Sequence, residues 1–418
     1  MTNSPFAIGF EDVVAAADRV NGVVLKTPFT SSPLLSRLAE SEIYIKYENL
    51  QITGSFKERG ALNKLLTLND EQRSRGVIAM SAGNHAQAVA CHASRLGLAA
   101  TIVMPEGTPF LKIANTEAWG ARVLIQGKNL HEAQIAVNQI VGDEKLTLIH
   151  PYDDPQIIAG QGTIALEILE DVPDLEALVI PIGGGGLFAG IAMAARHLNP
   201  DIEIYGVECS QYPSMSLALN KEVQVQSGQT IAEGIAVKNI GALTRPIAEA
   251  LNTEIFVISE SEIEKAVATF LTVQKTVVEG AGAVVLAAVL ENPKLFRNKK
   301  TGLILSGGNI DPRMLSSILI RELERKNKII TLRLETEDQP GTLGRIATEL
   351  GRCGANILEV SHDRLLQDIP AKNANIDVTI EIKDARHAQE VMSSLAENGF
   401  KVLELEPANG QSDGSLAN

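Results

Sequence analysis

Lys57 is the side chain in this 418-residue sequence best placed for covalent chemistry. It follows Gly54, Ser55 and Phe56 in the stretch YENLQITGSFKERGA at 47–61, and a helix-like run comes after it. An amine beside a glycine turn at a helix start sits among unpaired backbone N–H groups and the positive end of the helix dipole. That setting favours anions and lowers a lysine pKa, which suits an amine that must form a Schiff base. A charged residue between apolar runs can equally be surface. Three glycine-rich segments bear on the choice: SAGNHAQ at 81–87, PIGGGGLFAG at 181–190 and LSGGN at 305–309. Gly183, Gly184, Gly185 and Gly186 offer successive N–H groups, unobstructed by side chains, at the mouth of a helix starting near Leu187. That is a phosphate cradle on physical grounds. The sequence has no G-x-x-x-x-G-K-[ST] and no first-strand G-x-G-x-x-G with a trailing acid, so ATP and NAD are poor candidates.

Ser81, Ala82, Gly83, Asn84 and His85 bring a hydroxyl, an amide and backbone N–H groups to another helix start, where a substrate carboxylate could be clamped. His85 in a first turn can instead be a structural hydrogen-bond partner. Phe56 can face a cofactor or fill the core, and Glu279 in VVEGAGA can simply be a helix-start carboxylate.

Taken together, the four segments closely resemble the pyridoxal-phosphate enzymes of the tryptophan-synthase-β type, and within them the threonine/serine dehydratases, or threonine ammonia-lyases. The resemblance runs from residue 5 to residue 326 in the family's order and spacing. It implies that Lys57 carries pyridoxal 5′-phosphate as a Schiff base, with Phe56 near the cofactor plane and Gly183 to Gly186 with Leu187 around its phosphate. Asn84 would contact the ring hydroxyl, Glu279 the ring edge and Ser306 the pyridine nitrogen. A neutral serine there should leave the ring less electron-withdrawing than an aspartate would, favouring prompt β-elimination over transamination. Lys57 and Ser81 are the catalytic candidates, with 81–85 holding a small β-hydroxy amino acid. Lys57 would remove the α-proton, the β-hydroxyl would leave with the cofactor phosphate as its proton donor, and threonine would give 2-oxobutanoate and ammonia. The alternatives are serine or 3-hydroxyaspartate as substrate, or a sensor that kept the fold without catalysis.

Departures from related families sharpen this. Serine racemases carry a second serine where this chain has Ala82, which cannot transfer a proton on the opposite face. They also bind a divalent cation through an acidic pair; Glu208 matches the first acid, but Ser214 replaces the second, and no metal is expected. The cysteine synthases show a T-S-G-N-type loop that SAGNH does not match.

The elements that must position these residues read as α/β. Non-alternating apolar strands at 76–80, 100–104, 121–125, 178–182, 202–208, 254–258 and 302–305 alternate with helices, which indicates parallel sheets covered by helices on both faces. This is the two-subdomain fold type II of the resembling enzymes, a catalytic domain at 1–328 with a smaller subdomain at 50–150. The charged run RKNK at 325–328 marks a boundary. Beyond it, 329–406 reads β-α-β-β-α-β, a ferredoxin-like unit. It resembles the ACT regulatory domain, whose first loop the DQPGTL at 338–343 matches. That resemblance implies a free amino-acid effector near Gln339, Gly341, Leu343, Asn356 and Ile357, or a domain that only dimerises. Residues 407–418 are Gly/Ser/Asn-rich and read as a disordered tail.

A net charge of −14 argues against nucleic acid or an anionic membrane as partner. Three distant cysteines and seven scattered histidines form neither a disulfide framework nor a zinc pattern, and a reducing cytoplasm is the simpler setting. The charge-free window at 177–195 approaches a membrane-spanning length, but Pro181 and four glycines interrupt it. The N-terminus lacks a basic n-region and apolar core, so no secretory signal is expected. The resembling families are dimeric or tetrameric, so a homodimer or homotetramer is expected.

Overall fold

In the computed structural model, which describes residues 6–363 and 373–405, the chain forms two compact units, Met1–Asp311 and Pro312–Asn418. The tail expected at 407–418 lies outside the described residues. The helix Pro312–Arg325, expected to close the first region, groups with the second unit, ahead of the charged run at 325–328.

The first unit holds two sheets. One has six strands, in the order Phe29–Ser31, Glu42–Tyr47, Lys300–Leu305, Ala177–Pro181, Glu203–Cys209 and Glu254–Ile258. All neighbours are parallel except Phe29–Ser31, an antiparallel edge strand. The sequence at 24–33 reads as a turn-rich connector, because three residues at an edge are too few to show a period. The second sheet is wholly parallel, in the order Arg122–Ile125, Ala100–Met104, Val77–Met80 and Thr147–Leu148. Ala100–Met104 and Ala177–Pro181 are buried along their whole length, which is why their sequences are uninterrupted apolar runs. The charge-free window is the strand Ala177–Pro181, the glycine loop and most of the helix Gly186–Leu198. Among the described residues no helix is long and apolar enough to cross a membrane.

The helix that begins at Lys57, Lys57–Leu66, packs against Pro155–Asp171 with backbones nearly touching. A Cβ on Gly160 would lie 2.6 Å from the Gly60 Cα and 2.7 Å from the Arg59 carbonyl oxygen, so only glycine permits the approach. Beside this contact Arg59, 1% exposed, pairs with Glu48 at 2.8 Å and with Glu167 at 2.6 Å, and donates to Thr163 Oγ1 at 3.1 Å. Lys46, also buried, pairs with Glu167. Burial alone would raise the Glu48 pKa, but Arg59 beside it holds the carboxyl below its ordinary value. The helix Glu260–Thr272 is capped by Ser259, which accepts from the Glu262 amide at 3.4 Å. The spacing of Ser259 and Glu262 predicts a capping box, but only half of it forms, because the Glu262 carboxylate accepts from Lys265 at 2.6 Å instead.

The second unit is antiparallel, with strands in the order Asn356–Asp363, Asn373–Glu381, Ile329–Glu337 and Lys401–Leu405. The helices Thr342–Cys353 and Ala385–Glu397 complete the β-α-β-β-α-β order. Leu332, Leu334, Ile346, Leu350, Ile376, Val378 and Val391 fill its core.

Because losing Glu48 leaves two buried cations, Arg59 and Lys46, sharing the one carboxylate of Glu167, Glu48→Ala should destabilise the first unit by about 3 kcal/mol. Calorimetric unfolding of the full chain should show the transition of that unit lowered and that of the second unit unmoved.

Candidate active site

The residues leading into the lysine helix are stitched to the loop that follows the strand Lys300–Leu305. Ser55 and Gly307 form an antiparallel bridge, Phe56 N–H donates to the Ser306 carbonyl at 3.0 Å, and Gly308 N–H donates to the Gly54 carbonyl at 3.0 Å. This pairing fixes Lys57, first residue of its helix, beside Ser306, 2% exposed at the end of a buried strand. Such placement at the carboxyl ends of parallel strands is where open α/β sheets bind ligands.

The Lys57 amine donates to the Pro151 carbonyl at 2.7 Å and lies 5.1 Å from the centre of the Phe56 ring. Burial lowers its pKa from 10.5 to about 8, against the opposing pull of Glu279. Glu279, at the N-cap of Gly280–Glu291, is pushed up from 4.5 to about 7, chiefly by burial, while the Asn84 hydrogen bond opposes the shift. Asn84 Nδ2 donates to Glu279 Oε1 at 2.8 Å. Amine and acid are both brought to change protonation state near neutral pH, as a site for nucleophilic addition and proton transfer needs.

The glycine loop joins a buried strand to the helix Gly186–Leu198, with Gly185 as its N-cap at φ +94°. A Cβ on Gly184 would run into the Tyr152 ring, and one on Gly185 would lie 2.5 Å from Thr244 Oγ1. Glycine is therefore required by what stands behind the loop. The backbone amides of a side-chain-free helix start are the donor set a phosphate takes. Thr244 Oγ1 donates to the Gly184 carbonyl at 2.8 Å and steadies the turn. Leu187 is buried in the helix's first turn.

Ser81, Ala82, Gly83 and Asn84 are half-buried ahead of the helix Asn84–Arg95, and Gly83 N–H donates to Ser81 Oγ at 3.1 Å. His85 is buried, and its Nε2 donates to the Ile149 carbonyl at 2.8 Å. Burial first, then the nearby Lys57 charge, lowers its pKa to about 3, so the ring is neutral and acts as a structural tie. Glu208 is buried with both oxygens engaged, by the Met215 amide at 2.6 Å, the Ser216 amide at 3.0 Å and Ser216 Oγ at 2.7 Å. Ser214 Oγ donates to the Val237 carbonyl at 2.6 Å. Among the described residues no cluster of three His, Cys, Asp or Glu could hold a metal ion.

The structure thus brings Lys57, Phe56, Asn84, Glu279, Ser306 and the loop 81–85 into connected surroundings. It also adds residues that sequence reasoning passed over: Pro151 and Tyr152, which back Lys57 and Gly184, and Asn309. Asn309 lies in the LSGGN segment, of which only the serine matches a role in the resembling family; nothing in IHPYDD at 149–154 signals a role. In the second unit Gln339 and Gly341 stand on the turn before Thr342–Cys353, with Gly341 at φ +87°, and Leu343 lies in the first turn of that helix. Asn356 and Ile357 begin the strand Asn356–Asp363. A concavity of about 510 Å³ is lined by Gly341, Gly344, Arg345, Thr348, Asn398 and Phe400, sharing only Gly341 with the expected set.

An amine of lowered pKa near a raised carboxyl, at strand ends beside an amide-lined turn, is an arrangement in an α/β fold that could hold a phosphorylated carbonyl cofactor through a lysine. Residues 20–307 match the model of the pyridoxal-phosphate dependent enzymes, and the chain belongs to that family; residues 325–398 match the ACT domain. The L-threonine ammonia-lyase of Thermotoga maritima is 41% identical over 397 residues, 94% of this chain and 99% of that protein. Maize serine racemase superposes with a TM-score of 0.71 at 33% identity, over 77% of this chain and all of that one. The processed form of threonine deaminase isoform 2 from Solanum lycopersicum superposes with a TM-score of 0.69 at 33% identity, over 76% of this chain and 95% of that one.

The residues present fit pyridoxal phosphate: an amine that is neutral above about pH 8, a glycine turn free of side chains, and a neutral hydroxyl at a strand end. The lowered lysine has a consequence for the cofactor-free protein. A folded-state pKa of about 8 against 10.5 unfolded costs stability in full below pH 8, and the cost fades as pH rises to 10.5. Lys57→Met should therefore stabilise the cofactor-free chain at pH 7 by on the order of 3 kcal/mol. In denaturant titrations the gain should shrink as pH climbs from 8 towards 10.5.

Proposed function

We propose that this chain converts L-threonine to 2-oxobutanoate and ammonia, with Lys57, Ser81, Asn84, Glu279, Ser306 and the backbone amides from Gly183 to Leu187 forming its site. The observation that carries the reading is the desolvated Lys57 amine, held against Pro151 at the strand ends beside the glycine turn. Its support from relatives is the near full-length similarity to an L-threonine ammonia-lyase.

Pyridoxal phosphate, when bound, supplies a ring that takes up the charge left as the α-hydrogen departs. Lys57 Nζ would hold the cofactor and, as a free amine, would accept the α-proton at close range. The amides and hydroxyl of 81–84 orient the substrate carboxylate. Asn84 and Glu279 fix one edge of the site through their 2.8 Å hydrogen bond, and Ser306 offers a neutral partner instead of an acid. Loss of the β-hydroxyl as water, and uptake of water in releasing ammonia, balance the reaction. Ala82 has no proton to deliver to the opposite face, so elimination outruns racemisation.

The ACT unit reads as a binding site for a free amino-acid effector at the turn bearing Gln339 and Gly341 and the helix start bearing Leu343. Its edge strand Asn356–Asp363 exposes Leu358 and Val360, which supports pairing with a second copy in a homodimer or homotetramer.

Purified protein given L-threonine should release 2-oxobutanoate faster than it releases pyruvate from L-serine or oxaloacetate from 3-hydroxyaspartate. Lys57→Ala should lose the visible absorption of bound cofactor and at least about 10³-fold in rate. Turnover by that variant with its absorption retained would contradict the assignment.

A further inference from the structure

Asn309 ends the LSGGN segment, and its side chain bridges two loops. Its Nδ2 donates to the Thr53 carbonyl at 2.7 Å and to Asn84 Oδ1 at 2.8 Å. Asn84 Nδ2 in turn donates to Glu279 Oε1 at 2.8 Å. The direction of this chain of bonds is set at its first member. A backbone carbonyl can only accept, so Asn309 must turn its NH2 group towards Thr53. The Thr53 peptide is itself held, since its N–H donates to the buried Glu58 carboxylate and the next N–H, of Gly54, donates to the Gln51 carbonyl at 2.8 Å. The second N–H of Asn309 then meets the Asn84 oxygen, and the Asn84 NH2 is left for Glu279. Gly54, at φ +75°, makes room for this: a Cβ there would lie 2.5 Å from Asn309 Oδ1.

We propose that Asn309 is a positioning residue that acts through Asn84, keeping the Asn84 NH2 on the Glu279 side of the site, where a bound cofactor meets a donor. The inference rests on the reading of Lys57 and the 81–85 loop as the cofactor and substrate site. A side-chain amide is nearly symmetric in shape, so packing alone does not choose between its oxygen and its nitrogen; only partners of fixed polarity do. Asn309 supplies that polarity from the backbone of the loop that carries Lys57. A half-turn of the Asn84 amide would set its oxygen against Glu279 and exchange a donor for an acceptor on the cofactor side.

Asn309→Asp keeps the size of the side chain and removes both donors. The test is a double-mutant cycle on the full chain, with the pyridoxal-phosphate dissociation constant read from visible absorption. Its members are the wild type, Asn309→Asp, Asn84→Ala and the double variant. Asn309→Asp should weaken cofactor binding by about fivefold, the effect of one lost hydrogen bond at an exposed side chain. In the Asn84→Ala background the same change should alter binding by less than about twofold, because its target is gone. The unfolding temperature of the cofactor-free protein is measured alongside. If the carboxylate prevents folding, Asn309→Ser closes the same cycle without adding a charge. Equal weakening in both backgrounds, tracking the loss of unfolding temperature, would mean a merely structural asparagine and overturn the proposal. Unchanged binding by Asn309→Asp in a chain whose wild type binds the cofactor would overturn it alone. A wild type that takes up no cofactor would overturn the site reading and this inference together.

Discussion

Crowding one half-buried amine with protein is the constraint around which the first unit is arranged. Burial disfavours a protonated lysine, and Lys57 answers by giving up its proton more readily, at about pH 8, with the Pro151 carbonyl as its hydrogen-bond partner. Glu279 meets the same problem with the opposite sign and keeps its proton up to about pH 7. Two ionisable groups are thus brought to the same pH range chiefly by desolvation. The cost falls on the cofactor-free protein.

That cost is borne by a rigid surround. The fully buried Arg59, two residues after the lysine, ties its helix to Glu48 and Glu167, and the Gly60–Gly160 contact locks that helix against Pro155–Asp171. On the other side, the short pairing of 53–56 with 306–309 couples the lysine loop to the strand end that carries Ser306. The lysine is therefore clamped from its own helix and from a segment far along the chain, through Ser55 with Gly307. Precision of this kind suits chemistry in which one side chain must both hold a cofactor and collect a proton.

Much of this is readable along the chain, and the limits have physical causes. Parallel strands buried on both faces cannot alternate, so 100–104 and 178–182 stand out as uninterrupted apolar runs. Gly183 to Gly186 are legible because a run of missing side chains between two apolar segments is hard to explain otherwise. Asn309 and Pro151 are not legible: their partners, Asn84 and Lys57, lie far away in sequence, and an asparagine or proline in a loop has many local uses. His85 offers two roles, and its bond to the Ile149 carbonyl, which engages the side chain structurally, cannot be read from the sequence. The half-formed cap at Ser259 shows the same limit, since Lys265 competes for the Glu262 carboxylate. The helix Pro312–Arg325 follows the second unit although the charge pattern places the break after it; charge marks exposure, whereas allegiance is decided by packing.

The identity of the amine joined to the cofactor is the point on which the rest turns. Loading the full chain with pyridoxal phosphate, reducing it with borohydride and mapping the peptides by mass spectrometry reads that identity directly. The expected result is a single pyridoxyl-phosphate adduct, on Lys57. An adduct on another lysine with Lys57 unmodified, or none at all in a chain that turns over threonine, would contradict it.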